Sequence, residues 1–147
     1  MRIFISYSRR NKTFADRIAQ ELRARGADVF IDYQRLDAGN FVAQLGKEVQ
    51  SREVFLLIVS PHSLRSRWVQ AEVNFAFMDA DKTIIPLLLE DPSPEDYAHI
   101  FPVASMEMVD ARRWWQDGDI SEALKKLERL LNLQPPAQPV DIAPPPV

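Results

Sequence analysis

The sequence has no cysteine and only four glycines and two histidines in 147 residues, and each scarcity removes a class of chemistry. Without cysteine there is no disulfide, no thiolate metal site and no cysteine nucleophile, which fits a reducing compartment. Gly26, Gly39, Gly46 and Gly118 are too dispersed for a G-x-G-x-x-G turn or a P-loop, where clustered glycines let the backbone approach phosphate. His62 and His99 are far apart in the chain, which argues against a metal site or a Ser-His triad. No window approaches the roughly 20 apolar residues of a membrane span, and the apolar start Ile3-Phe4-Ile5 is too short for a signal peptide. A net charge of −3 offers no electrostatic case for nucleic acid or an anionic membrane. The local basic run Arg9-Arg10-Asn11-Lys12 reads as a solvated loop. The expectation is a soluble, cytoplasmic protein without a metal or a nucleic-acid partner.

The length suits one domain, and 46% hydrophobic with 27% charged residues is ordinary for a globular one. Four apolar runs recur along it: Ile3-Phe4-Ile5, Val29-Phe30-Ile31, Val54 to Val59 and Ile84 to Leu89, with a weaker fifth at Ser105 to Val109. They are rich in β-branched and aromatic residues, and the longer ones lack polar alternation, as strands buried on both faces do. Pro86 inside the fourth argues for an edge or a bulge. Helical stripes lie between them: Phe14/Ala15/Ile18/Ala19/Leu22, Phe41/Leu45/Val49, Val69/Val73/Ala76/Phe77/Ala80 and Ile120 to Leu131. The last has Asp119 as N-cap and Glu122 three residues on. This alternation predicts a flavodoxin-like, three-layer α/β domain over residues 1–133, with a central parallel sheet of about five strands and helices on both faces. Residues 134–147 hold six prolines and are expected to be an extended or disordered linker, leading to a further domain or ending as a tail.

Open α/β sheets bind ligands outside the carboxyl ends of their strands. There the chain offers Ser6, Tyr7, Ser8 and Arg9, then Asp32 and the following loop, then Ser63 to Trp68 leading to Glu72. A phospho-accepting response regulator would need acidic residues at the first and third strand ends, which read Ser6-Tyr7 and Ser60-Pro61 instead. Trp68 and Glu72 are four apart and share a helix face, about 100° from the Val69/Val73/Ala76 stripe. That places Glu72 at the edge of the buried surface. A partly desolvated carboxylate beside an indole suits the stabilisation of an oxocarbenium-like centre. The same spacing also suits a surface glutamate beside a packing tryptophan, Tyr7 also suits a ring packed against the second helix, and Arg9 a solvent-exposed side chain.

Read in order, the boxes Ile3-Phe4-Ile5-Ser6-Tyr7-Ser8, Val29-Phe30-Ile31-Asp32 with Arg35 to Phe41, and Leu57 to Pro61 with Ser66-Arg67-Trp68-Val69-Gln70-Ala71-Glu72 resemble the Toll/interleukin-1 receptor (TIR) domain family from Met1 to Leu133. The family's enzymatic branch, which includes bacterial proteins and the animal axon-degeneration enzyme, carries a glutamate four residues after a tryptophan, here Glu72 and Trp68. A cysteine common after that tryptophan is Val69 here. The resemblance implies an NAD+ glycohydrolase releasing nicotinamide and ADP-ribose or a cyclic isomer, with NAD+ as substrate and no cofactor. It makes Glu72 catalytic and Tyr7, Ser8, Arg9, Asp37 and Trp68 substrate-binding. It also gives the BB-loop residues Arg35, Leu36, Gly39 and Phe41 a part in self-association, because in this family one subunit's BB loop completes its neighbour's site. Head-to-tail contacts of that kind build filaments, and the implied setting is immune or anti-phage signalling. Two other functions compete. One is a non-catalytic TIR interaction module. The other is a nucleoside deoxyribosyl transferase, for which Asp32 would be the one obvious nucleophile.

Overall fold

The computed structural model describes residues 1–31 and 41–140. Its elements run β1 (Arg2–Ser6), a 3-10 turn (Arg9–Asn11), α1 (Lys12–Ala24), β2 (Asp28–Ile31), α2 (Phe41–Gln50), β3 (Val54–Val59), α3 (Pro61–Arg65), α4 (Arg67–Phe77), β4 (Thr83–Leu88), α5 (Pro94–Ala98), α6 (Phe101–Ala104), β5 (Val109–Asp110), α7 (Trp114–Asp117) and α8 (Ser121–Leu131). Among the described residues five parallel strands form one sheet in the order β2-β1-β3-β4-β5. The chain steps from β1 outward to β2, then returns to place β3 on the other side of β1. Strand order therefore reverses between β1 and β3, which is where such sheets open a crevice at their carboxyl ends.

The two faces divide the core by residue parity, since successive side chains on a strand point to opposite sides. Val54, Leu56 and Ile58 of β3 pack with α1 and α8, whereas Phe55, Leu57 and Val59 pack with α2, α3, α4 and α6. All six are at most 3% exposed, which explains the missing polar alternation. On the second face Phe4 stacks between Phe30 and Phe55, at 5.3 and 5.5 Å between ring centroids. Arg25 ties the first face together, donating to Glu21 and to Glu128 at 2.7 Å each and so joining α1 to α8.

Several expectations shift in detail. β4 lies inside the sheet, yet its outer neighbour β5 pairs with it only at Leu87 and Leu88, so Pro86 precedes the paired stretch on that side and the missing N–H is tolerated. β5 is shorter and later than the run at Ser105. α4 stops at Phe77, leaving Ala80 outside. At α8, Asp119 accepts the Ser121 N–H at 2.9 Å, and no capping box with Glu122 forms. Residues 134–140 form no helix or strand, but Pro135, Pro136, Pro139 and Val140 wall a groove of about 420 Å³ with α1 and α8. Among the described residues no helix is long and apolar enough to cross a membrane.

Candidate functional site

Strand parity decides where the residues at the end of β1 go. Phe4 faces α2 and α4, so Ser6, two residues on, faces the same way. Its hydroxyl donates to Glu72 Oε1 at 2.7 Å, and both side chains are buried. Tyr7 has the parity of Ile3 and Ile5 and sits with them in the α1/α8 core, 1% exposed. The structure thus puts the Tyr7 ring on the α1/α8 side of the sheet, and among the described residues it is not one of those lining the open depression described below. Ser8 leaves the strand and starts the 3-10 turn, its Oγ accepting the Arg10 N–H.

The other wall is built by a relay of serine caps. Ser60 Oγ accepts the Ser63 N–H at 3.0 Å while Ser63 Oγ accepts the Ser60 N–H at 2.9 Å, closing a capping box that starts α3 at Pro61. His62 thus falls in the first turn of a helix. Ser66 then caps α4 by accepting the Val69 N–H, and Gln70 Nε2 donates back to Leu64 O at 2.9 Å. A buried bond joins the two walls: Ser60 Oγ donates to Asn11 Oδ1 at 2.7 Å. Behind α3, Arg65 Nε donates to Asp96 of α5 at 2.7 Å. The Ser93 backbone N–H and the Arg65 guanidinium hold the Asp96 carboxyl below its ordinary value.

Between these walls lies an open depression of about 370 Å³ lined by Ser8, Arg9, Ser66 and Trp68. Its size is at the lower end for a small-molecule site. Larger depressions exist, including one of about 500 Å³, but that one is lined by α8 and the residues after it, away from the strand ends where an α/β sheet presents its chemistry. Trp68 is half-buried at the wall. Glu72 lies one helical turn further along α4, about 6 Å by the helical rise, and is 1% exposed. The burial exceeds the edge position expected from the helical wheel, because the carboxyl end of β1 meets α4 there and supplies Ser6 as a polar partner. Arg9 is exposed, and no carboxylate pairs with it, with Arg10 or with Arg67 among the described residues.

The structure therefore brings Ser8, Arg9, Trp68 and Glu72 to one end of the sheet and keeps the Tyr7 ring apart. Arg35, Leu36, Asp37 and Gly39 lie outside the described residues, as does the side chain of Phe41, whose backbone opens α2. Sequence reasoning placed Ser6 and Ser66 at the strand ends that form the rim but gave no role to either of them, nor to Asn11 or Ser60. A polar residue closing an otherwise apolar strand was the available signal for Ser6.

Comparison with known proteins agrees with this architecture. The family model of the TIR domain matches residues 3–128. The chain is 37% identical to the NAD(+) hydrolase tir-1 of Caenorhabditis elegans, over 64% of this chain and 11% of that protein. It is 30% identical to the NAD(+) hydrolase SARM1 of Danio rerio, over 86% of this chain and 19% of that protein. A relative in Drosophila melanogaster, the NAD(+) hydrolase sarm1, is 32% identical over 58% of this chain and 7% of its own length. The chain thus spans less than a fifth of the length of each of these relatives. Among solved structures, the TIR domain of the Toll-related receptor TRR-2 from Hydra magnipapillata superposes with a TM-score of 0.67 at 17% identity, covering 88% of this chain and 97% of that one. Matched over most of its length by the family model and sharing the family's fold, the chain belongs to the TIR domain family.

Proposed function

We propose that this TIR domain hydrolyses the nicotinamide–ribose bond of NAD+, with Glu72 as the catalytic carboxylate. The observation that carries the reading is the burial of Glu72 at the topological switch point, one turn below Trp68. Burying a carboxylate costs several kcal/mol, and an apolar side chain there would pack α4 more cheaply. A charge kept in that position is suited to meeting a cation. Similarity to three proteins named NAD(+) hydrolase supports the choice of substrate.

In the proposed reaction the bond between ribose C1′ and the pyridinium nitrogen breaks, and its electron pair stays on nitrogen, so nicotinamide leaves neutral. Positive charge develops on the ribose as an oxocarbenium-like centre, which the Glu72 carboxylate stabilises. Water adds at C1′ and releases a proton to solvent, giving ADP-ribose; an adenine nitrogen adding instead gives a cyclic isomer. Trp68 offers a face for stacking, Ser8 a hydroxyl, and Arg9 a charge for the pyrophosphate. Asp37 acts from the loop after β2. Because Glu72 is closed off from solvent in this arrangement, the site must open for substrate. That requirement fits a domain switched on by head-to-tail TIR–TIR assembly, in a defence or signalling setting.

The test incubates concentrated protein with NAD+, with and without a crowding agent, and measures nicotinamide beside a Glu72→Ala variant. Release that rises faster than protein concentration and vanishes in the folded variant is the expected result. No release under any assembling condition would sink the glycohydrolase and leave a non-catalytic interaction module.

A further inference from the structure

We propose that Ser6 is a positioning residue for the reaction, holding the Glu72 carboxylate in the orientation that meets the developing cation; this rests on the glycohydrolase reading above. The hydroxyls of Ser8, Ser60, Ser63, Ser66 and Ser93 accept backbone N–H groups at helix starts, so helix capping accounts for them, and Ser60 adds its bond to the Asn11 amide oxygen. Ser6 differs. It ends the strand β1 and caps no helix among the described residues, and its hydroxyl donates to a carboxylate 66 residues away in sequence on α4. At 2.7 Å the separation is that of a well-formed O–H···O hydrogen bond.

The mechanical consequence follows from the two elements involved. A glutamate on a helix has three side-chain torsions, and rotation about the last one is broad and weakly restrained. Ser6 has one, and it sits on a strand paired on both sides, to Ile31 through its neighbour Ile5 and directly to Leu57. The bond therefore transfers the rigidity of the sheet to the carboxylate. Electrostatic stabilisation of a transition state depends on groups aligned before charge develops. Ser6 acts through Glu72, so its removal lowers the chemical step and leaves substrate binding in place.

The test compares Ser6→Ala, Ser6→Cys and Ser6→Thr with the unaltered chain, each as full-length protein at a concentration that saturates the rate. It follows nicotinamide release against NAD+ concentration, with circular dichroism and melting to verify folding. Cysteine keeps the buried volume but is a weak donor, so it decides the matter if the alanine variant fails to fold. A hydrogen bond to a charged group of the usual strength corresponds to about a 10- to 100-fold change in rate. Ser6→Ala and Ser6→Cys are expected to lose kcat on that scale with KM within about twofold, and Ser6→Thr, which restores the hydroxyl, to recover most of it. A folded alanine or cysteine variant with wild-type kcat would overturn the proposal, as would a loss confined to KM or to the folded fraction. Absence of release from the unaltered chain is a separate outcome: it removes the glycohydrolase reading and the positioning role with it.

Discussion

Ser60 Oγ donates to Asn11 Oδ1 across 2.7 Å, with the two side chains 0% and 4% exposed. The bond links the turn after β1 to the start of α3, and through Ser66 to α4. It is a brace between the wall that carries Ser8 and Arg9 and the wall that carries Trp68 and Glu72.

Removing the brace acceptor is expected to be costly. Asn11→Ala leaves the Ser60 hydroxyl buried without that acceptor, a penalty of about 1–3 kcal/mol. Urea unfolding should show a midpoint lowered accordingly with an unchanged slope. A loss below about 0.5 kcal/mol would mean that Ser60 finds another partner and that the brace is dispensable.

Acid should weaken the attachment of α5 to α3. The Asp96 carboxyl is held below its ordinary value by the Ser93 backbone N–H and by Arg65. A group whose pKa is lower folded than unfolded stabilises the fold fully above its unfolded value, near 4, and that contribution fades as pH falls through the folded value. Asp96→Asn should therefore narrow the stability difference between pH 7 and pH 3, read from paired denaturant titrations. Equal acid sensitivity in variant and wild type would remove Asp96 from the explanation.

Arg9 tests the dinucleotide-binding wall. The side chain is exposed, and no carboxylate pairs with it among the described residues, so Arg9→Ala should leave the melting temperature within about 2 °C, as surface substitutions away from special features usually do. On the proposed function its loss weakens the hold on pyrophosphate. KM for NAD+ is expected to rise by about 5- to 30-fold, on the scale of one charge-assisted bond of about 1–2 kcal/mol. The wild-type KM should also climb with added salt more steeply than that of the variant. An unchanged KM would place the pyrophosphate elsewhere.

Much of the fold was legible because it rests on local periodicity. The unbroken apolar run Val54 to Val59 announced a strand covered on both faces, and the stripe from Ile120 to Leu131 announced the helix that covers one of them. The short helix α3 was less visible, since a five-residue element offers too few repeats for a stripe; its Ser60/Ser63 capping box was the usable sign. At the site, the spacing of Trp68 and Glu72 on one helix face could be computed from helix geometry. The separation of Ser6 from Tyr7 could also have been drawn from strand parity, given one residue of known orientation.

The sequence by itself determined the α/β alternation, the place of the strand ends and the presence of one carboxylate four residues after a tryptophan, because each depends on neighbours within a few residues. Only the tertiary structure decided which layer each face of β1 meets. That choice buries Tyr7 with α1 and α8 and turns Ser6 toward α4, where Glu72 is 1% exposed rather than at the rim. The physical reason is that burial depends on what packs against a face. The contact between residues 6 and 72 is made by the crossover that places β3 beside β1, a relationship with no local trace in the chain.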